Sequence, residues 1–258
     1  MESWILNFLA FWIGAAIGSF LNVCIYRLPE RLSIVAPRSF CPSCQTPIRA
    51  YDNIPIISFL LLGGKCRKCR ARILWRYPLV EALTGALALA FFLKMGLTLS
   101  FFCHFCFAAA LVVITFIDLD HRIIPDVISL PGVVIGFLLS LLGITLGMWN
   151  SLIGIAVGGG SLYLVAIVYE AVTKREGMGG GDVKLLAMIG AWLGWKAVLF
   201  TLFFASLTGS VIGGAIMMAK KEDSKLAVPF GPFLTFSAMA HIFFGEKLIH
   251  WYLNWGGF

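Results

Sequence analysis

Long runs of apolar side chains, separated by short polar or glycine-rich stretches, organise this chain. Eight such runs lie at roughly 4–26, 78–96, 99–117, 127–147, 150–172, 183–195, 197–219 and 229–253. Most approach the length of about 20 residues that carries a helix across a hydrocarbon layer about 30 Å thick. The sixth run is short, and with the seventh it predicts a broken pair around Gly194. Small-residue spacings at Gly14 and Gly18, Gly154 and Gly158, and Gly209 and Gly213 let helix backbones approach closely, so a compact bundle is expected. The first run has no basic segment ahead of it and no small-residue cleavage site behind it, and it reads as a retained span. The predicted fold class is an all-α polytopic membrane protein of about eight transmembrane helices, interrupted by one small polar insert.

Composition excludes the water-soluble alternative. Apolar residues make up 60% of the 258 positions and charged residues only 13%, about half the usual share of a soluble domain. Charge placement then predicts topology. Ten of the twenty Lys and Arg residues fall between Arg27 and Arg76, and seven more fall in later loops on the same side. Lys94, Lys196 and Lys247 remain for the other side. The excess of positive charge marks the cytoplasmic loops, which puts both termini on the outer side of the membrane. The net charge of +7 is thereby explained by topology and attraction to anionic membrane lipid, with no call for nucleic acid.

Three segments follow: a first span at 1–26, a cytoplasmic insert at 27–77, and a membrane bundle at 78–258. An insert of this size builds little core and needs a staple. Cys41-Pro-Ser-Cys44 and Cys66-Arg-Lys-Cys69, 21 residues apart, can present four thiolates to one structural Zn²⁺. Redox and disulfide roles compete with zinc, and a reducing cytoplasm disfavours them. Lys65, Arg67 and Lys68 beside the second pair are expected to lower thiol pKa. Cys103 and Cys106, on one face of the third span, and the lone Cys24 read as packing residues.

Thirteen carboxylates exist, so each can be weighed. Asp118 ends the apolar run Phe107 to Ile117, a depth at which an ionisable group is costly and usually functional. Asp182 opens the sixth run, after Gly177-Met-Gly-Gly-Gly181 and two residues before Lys184. Glycines there, including Gly179 and Gly181, free the backbone and leave room for a substrate main chain. Should the inner ends of spans three and six meet, two carboxyls would share one proton in a site of low dielectric. Such a pair can activate water and polarise a peptide carbonyl. Asp120 reads as solvated or salt-bridged, and Asp126 as a first-turn acid of the fourth span. Glu81 can meet Arg72 or Arg76, or serve a second site.

Several segments in order resemble the bacterial type IV prepilin peptidases, which belong to the Gly-x-Gly-Asp intramembrane aspartic proteases. These are Gly18-Ser-Phe-Leu-Asn22 through Tyr26-Arg-Leu-Pro29, the paired cysteines with Asn53-Ile-Pro55 between them, and Arg76-Tyr-Pro78 through Glu81. Ile117-Asp-Leu-Asp-His121 through Ile124-Pro-Asp126, Gly179-Gly-Gly-Asp182-Val-Lys184 and Pro229-Phe-Gly-Pro232 complete the match. The resemblance implies that prepilins and pseudopilins are cut after glycine at the cytoplasmic membrane face. It places Asp118 and Asp182 at the catalytic positions. It also implies N-methylation of the new terminus from S-adenosylmethionine. No Gly-rich dinucleotide fingerprint marks a donor site, so the insert is its expected host, with Glu81 as a contributor.

Two other classes remain to be separated from this one. A transporter or ion channel would also carry intramembrane acids, although no inverted repeat is visible. A membrane thiol-disulfide oxidoreductase would use the cysteine pairs, and needs them on the oxidising side.

Overall fold

In the computed structural model, residues 3–174, 179–220, 229–248 and 251 are described, and each apolar run has a helix at its centre. The helices are α1 Ser3–Arg27, α2 Ile57–Leu61, α3 Arg76–Met95, α4 Leu99–His121, α5 Asp126–Leu141, α6 Met148–Thr173, α7 Gly180–Lys220 and α8 Gly231–Ala240. Among the described residues there are no strands, only isolated bridges of Phe40 with Pro47 and Lys65 with Arg72. Among the described residues, five helices (α1, α3, α4, α6 and α7) are long and apolar enough to cross a membrane. The count of about eight crossings is not confirmed by helices of that length among the described residues, and α7 alone holds two of the predicted runs. α5 has 16 residues, and α8 has 10 before it relaxes into a π turn over His241–Gly245. α5 stops short of residue 147 because Gly143 turns the chain with φ +72°.

The chain divides into two compact units, Met1–Val113 and Ile114–Phe258. In the first, α1 and α3 lie against each other along small residues. A Cβ at Gly18 would stand 2.8 Å from the Cα of Glu81, and one at Gly85 would stand 2.9 Å from the carbonyl of Phe11. Gly14 meets the side chain of Ala88 in the same way. This contact is worth dispersion energy in a lipid setting, where burial of apolar surface gives little between helices. At the foot of α1 the Arg27 guanidinium is 5% exposed. It donates to the carbonyls of Ser33 and Pro37 at 2.7 and 2.8 Å, tying the start of the insert to the helix.

The second unit is built around α7. Gly154 of α6 meets the backbone of Gly190 of α7, and Gly158 meets that of Leu186, as the small-residue spacing predicts. Gly209 and Gly213 do not repeat this: a Cβ at Gly209 reaches only ordinary contact with Phe233, and one at Gly213 meets nothing. α7 is broken at Gly194, whose φ of 78° and ψ of 176° are non-helical, as the sequence reading expects. A break of this kind leaves carbonyls in the preceding turn without their helical donors. The carbonyl of Ala191 is satisfied instead by the Ser151 hydroxyl at 2.8 Å, with Ser140 at 3.4 Å. Trp192 donates across to the carbonyl of Gly132 at 2.8 Å, which fixes α5 against the same stretch.

Candidate active site and candidate metal centre

In the second unit, three helix ends meet. α4 closes at its C-terminus where Arg122 takes φ 56° and its N–H bonds the carbonyl of Asp118 at 2.9 Å, a left-handed cap that satisfies a last-turn carbonyl. Asp118 is 5% exposed. Its Oδ2 accepts the N–H of Gly231 at 3.0 Å, a first-turn donor of α8 that has no partner within its own helix. One turn before it, Thr115 and Thr235 share a hydroxyl–hydroxyl bond of 2.7 Å that holds α4 to α8.

Asp182 stands half-buried in the first turn of α7. Its charge and that of Asp118 lie within electrostatic range of each other. Ile124 is the spacer between the two glycine segments: a Cβ at Gly181 would fall 2.9 Å from the Cβ of Ile124, and one at Gly231 would fall 3.4 Å from its Cδ1. Gly181 thus serves close approach, and none of Gly179, Gly180 and Gly181 has positive φ. Among the described residues, a Cβ at Gly179 or at Gly180 would meet nothing within 4 Å. Lys184 donates to both carboxylate oxygens of Asp126 at 2.7 and 2.8 Å. The first-turn acid of α5 is therefore also the partner that pins the start of α7. Asp120, two residues beyond Asp118, is exposed.

In the first unit, the two cysteine pairs form matching turns. Cys41 N–H bonds the carbonyl of Thr46 and Cys66 N–H that of Ala71, at 3.0 and 2.8 Å. Gln45 and Arg70 take positive φ at equivalent places. The four Sγ atoms of Cys41, Cys44, Cys66 and Cys69 lie within 4.8 Å of one another, and Cys41 and Cys69 are 3.8 Å apart. Four sulfurs at about 2.3 Å from a tetrahedral ion are separated by about 3.8 Å, so the donor set fits Zn²⁺. Hydrogen bonds to the Thr46 side chain and backbone hold the Cys44 thiol down at about 6. Backbone bonds from Cys69 and Lys68 lower that of Cys66. Of the basic neighbours expected to lower the thiols, Arg67 turns away to Asp52, with Nη2 at 2.6 Å from Oδ1 and Nε at 2.9 Å from Oδ2.

Glu81, on α3, is buried and meets neither of the arginines suggested for it. Its Oε2 accepts the N–H of Ile56 at 2.7 Å, and the carboxyl also bonds the Ser19 side chain. Nearby, Asn22 donates to the carbonyl of Tyr77 at 3.0 Å. Ser19, Asn22 and Ile56 were not singled out as site residues from sequence, because their roles arise only when α1, α3 and the insert converge. All but Ile56 line a cavity of about 550 Å³ that also reaches Cys41 and Cys66.

Comparison with known proteins agrees on both units. The Bacterial Peptidase A24 N-terminal domain matches residues 12–95, and the Type IV leader peptidase family matches residues 105–214. The chain is 35% identical to the prepilin leader peptidase/N-methyltransferase of Pseudomonas aeruginosa, covering 95% of this chain and 93% of that protein. It is 37% identical to the protein of the same name in Neisseria gonorrhoeae, over 96% and 93% of the two chains. The Legionella pneumophila relative is 32% identical over 98% and 96%. No solved structure matches the chain.

Proposed function

From the premise that the chain belongs to the type IV leader peptidase family, we propose that it cleaves prepilin and pseudopilin leaders after glycine, using Asp118 and Asp182. It is a multi-pass membrane peptidase and methyltransferase. What supports the assignment of the acids is Ile124, which touches both Gly181, next to Asp182, and Gly231, whose N–H bonds Asp118. In this reading the ionised carboxyl takes a proton from water as the water oxygen adds to the scissile carbonyl carbon. The protonated carboxyl meanwhile gives its proton to the carbonyl oxygen. As the tetrahedral adduct collapses and the C–N bond breaks, the carboxyl that took the water proton gives it to the departing amine, and a hydroxyl of the adduct returns a proton to the other carboxyl as the new carboxyl product forms. The N–H of Gly231 keeps Asp118 in one orientation throughout. In this reading both acids face the cytoplasm, the side on which the Lys- and Arg-rich loops lie.

Zn²⁺ held by Cys41, Cys44, Cys66 and Cys69 would act structurally, since four protein ligands leave no open position for chemistry. S-adenosylmethionine, when bound, supplies an electrophilic methyl group to the newly exposed terminus. The first unit is the proposed host of this step. Incubating a leader-bearing pilin with purified enzyme, and with Asp118→Asn and Asp182→Asn, tests the assignment. Loss of cleavage in both supports it, and retained cleavage in either removes that residue from the role.

A further inference from the structure

The cavity of about 550 Å³ in the first unit is of a size usual for small-molecule sites, which run from about 300 to 1,000 Å³. One part of its wall holds a carboxylate with no cationic partner and a carbonyl oxygen with no donor. Glu81 is 8% exposed, yet its bonded partners are neutral, the Ile56 N–H and Ser19, and no ion pair reaches it among the described residues. A carboxylate withdrawn from water without a cation is costly. Asn22 is 3% exposed, and its Oδ1 has no hydrogen-bond partner. The two residues sit close together. Ser19 and Asn22 lie one turn apart on α1, and their partners Glu81 and Tyr77 lie one turn apart on α3.

The backbone that feeds Glu81 is itself held out of its ordinary range. Ile56 takes φ 61° and ψ −50°, and Ile57 N–H bonds the carbonyl of Pro55 across it. This is the strained form of a three-residue turn, and a β-branched residue rarely adopts it. Strain of this kind persists where the surroundings impose it, and it gathers at ligand sites. Elsewhere on the wall, Lys68 and Arg72 bring positive charge, and Tyr26, Phe59 and Tyr77 bring aromatic faces. A ligand suited to these walls carries a cationic end, an anionic group and a flat apolar ring.

We propose that this cavity is the methyl-donor site, in which Glu81 and the Asn22 carbonyl hold the cationic methionine end of S-adenosylmethionine. The proposal rests on the methylation reading above. The Glu81 carboxylate supplies the counter-charge for the sulfonium and ammonium groups, and Asn22 Oδ1 accepts an ammonium N–H. Methyl transfer neutralises the sulfonium, so the same residues favour donor over product.

Glu81→Gln keeps an oxygen for the Ile56 N–H while removing the charge, and Asn22→Leu removes the unmet oxygen. Binding of S-adenosylmethionine and of adenosine to the full chain in detergent, measured by equilibrium dialysis, tests the placement. S-adenosylmethionine should bind at least tenfold more weakly to Glu81→Gln and at least threefold more weakly to Asn22→Leu, with adenosine binding within twofold in both. Equal losses for the two ligands would mean general damage to the cavity and would overturn the assignment. So would unchanged donor affinity in both variants, even while the unmodified enzyme still methylates cleaved pilin. Absence of any methyl transfer by the unmodified enzyme, read by mass spectrometry, would overturn the methylation reading itself and this site with it.

Discussion

Asp118 at the end of α4 and Gly231 at the start of α8 are joined by a hydrogen bond of 3.0 Å, and a Cβ on Gly231 would lie 2.5 Å from the bonded oxygen. The glycine therefore does two things for the acid. It offers a donor without a helical partner, and it leaves the space that the carboxyl fills.

Gly231→Ala should displace the Asp118 carboxyl. A misplacement of about 1 Å in a reacting group costs on the order of 10²-fold in rate. We expect the loss in kcat of leader cleavage, with KM little changed. Unaltered kcat would show that the Gly231 contact is not part of the working geometry.

The ion pair of Lys184 with Asp126 has both side chains partly exposed, at 38% and 55%. Pairs of that exposure are worth about 0.2–1 kcal/mol. A double-mutant cycle with Lys184→Met and Asp126→Asn should give a coupling within that range. Cleavage by the single variants should fall by less than about tenfold, because tenfold corresponds to about 1.36 kcal/mol. A loss of several powers of ten in Lys184→Met would instead give Lys184 a direct chemical part.

Gly190 and Gly213, both on α7, should respond with opposite sign to alanine. A Cβ at Gly190 runs into the backbone of Gly154, whereas one at Gly213 meets nothing. Overpacking of the first kind costs about 1–3 kcal/mol, and removing a helical glycine in open space gains about 0.5–1 kcal/mol. Thermal unfolding in detergent should show Gly190→Ala below and Gly213→Ala at or above the unmodified midpoint.

Metal analysis of the purified chain should find one zinc per molecule, with each Cys→Ser change at positions 41, 44, 66 and 69 lowering that content. Because metal binding by such a site is part of its folding free energy, the same variants should lose the insert's thermal transition and the methyl mark on mature pilin. Pilin still methylated after the zinc is lost would separate the metal from the methyl-transfer unit.

The sequence pattern made much of this arrangement legible, and the reasons differ by residue. Gly194 was readable as a break because a glycine sits between two apolar runs, one too short to span. The cysteine turns were readable because four thiols at that spacing have few other geometries. What could not be read was anything that depends on convergence between distant segments. Asn22 and Glu81 are 59 positions apart, and the missing partner of the Asn22 oxygen emerges only once α1 meets α3. The role expected for Arg67 failed for the same reason: Asp52, 15 residues earlier, captures it. Gly231 was visible only as part of a family segment, and its hydrogen bond to Asp118 spans 113 positions.

The most direct test is a structure of the enzyme with an uncleaved leader peptide, its scissile glycine carbonyl located against both acids. The proposed chemistry requires that carbonyl, or the water beside it, to lie within hydrogen-bond reach of Asp118 and of Asp182 together, about 2.6–3.2 Å. A peptide seated productively with its carbonyl beyond reach of either carboxyl would contradict the two-aspartate mechanism.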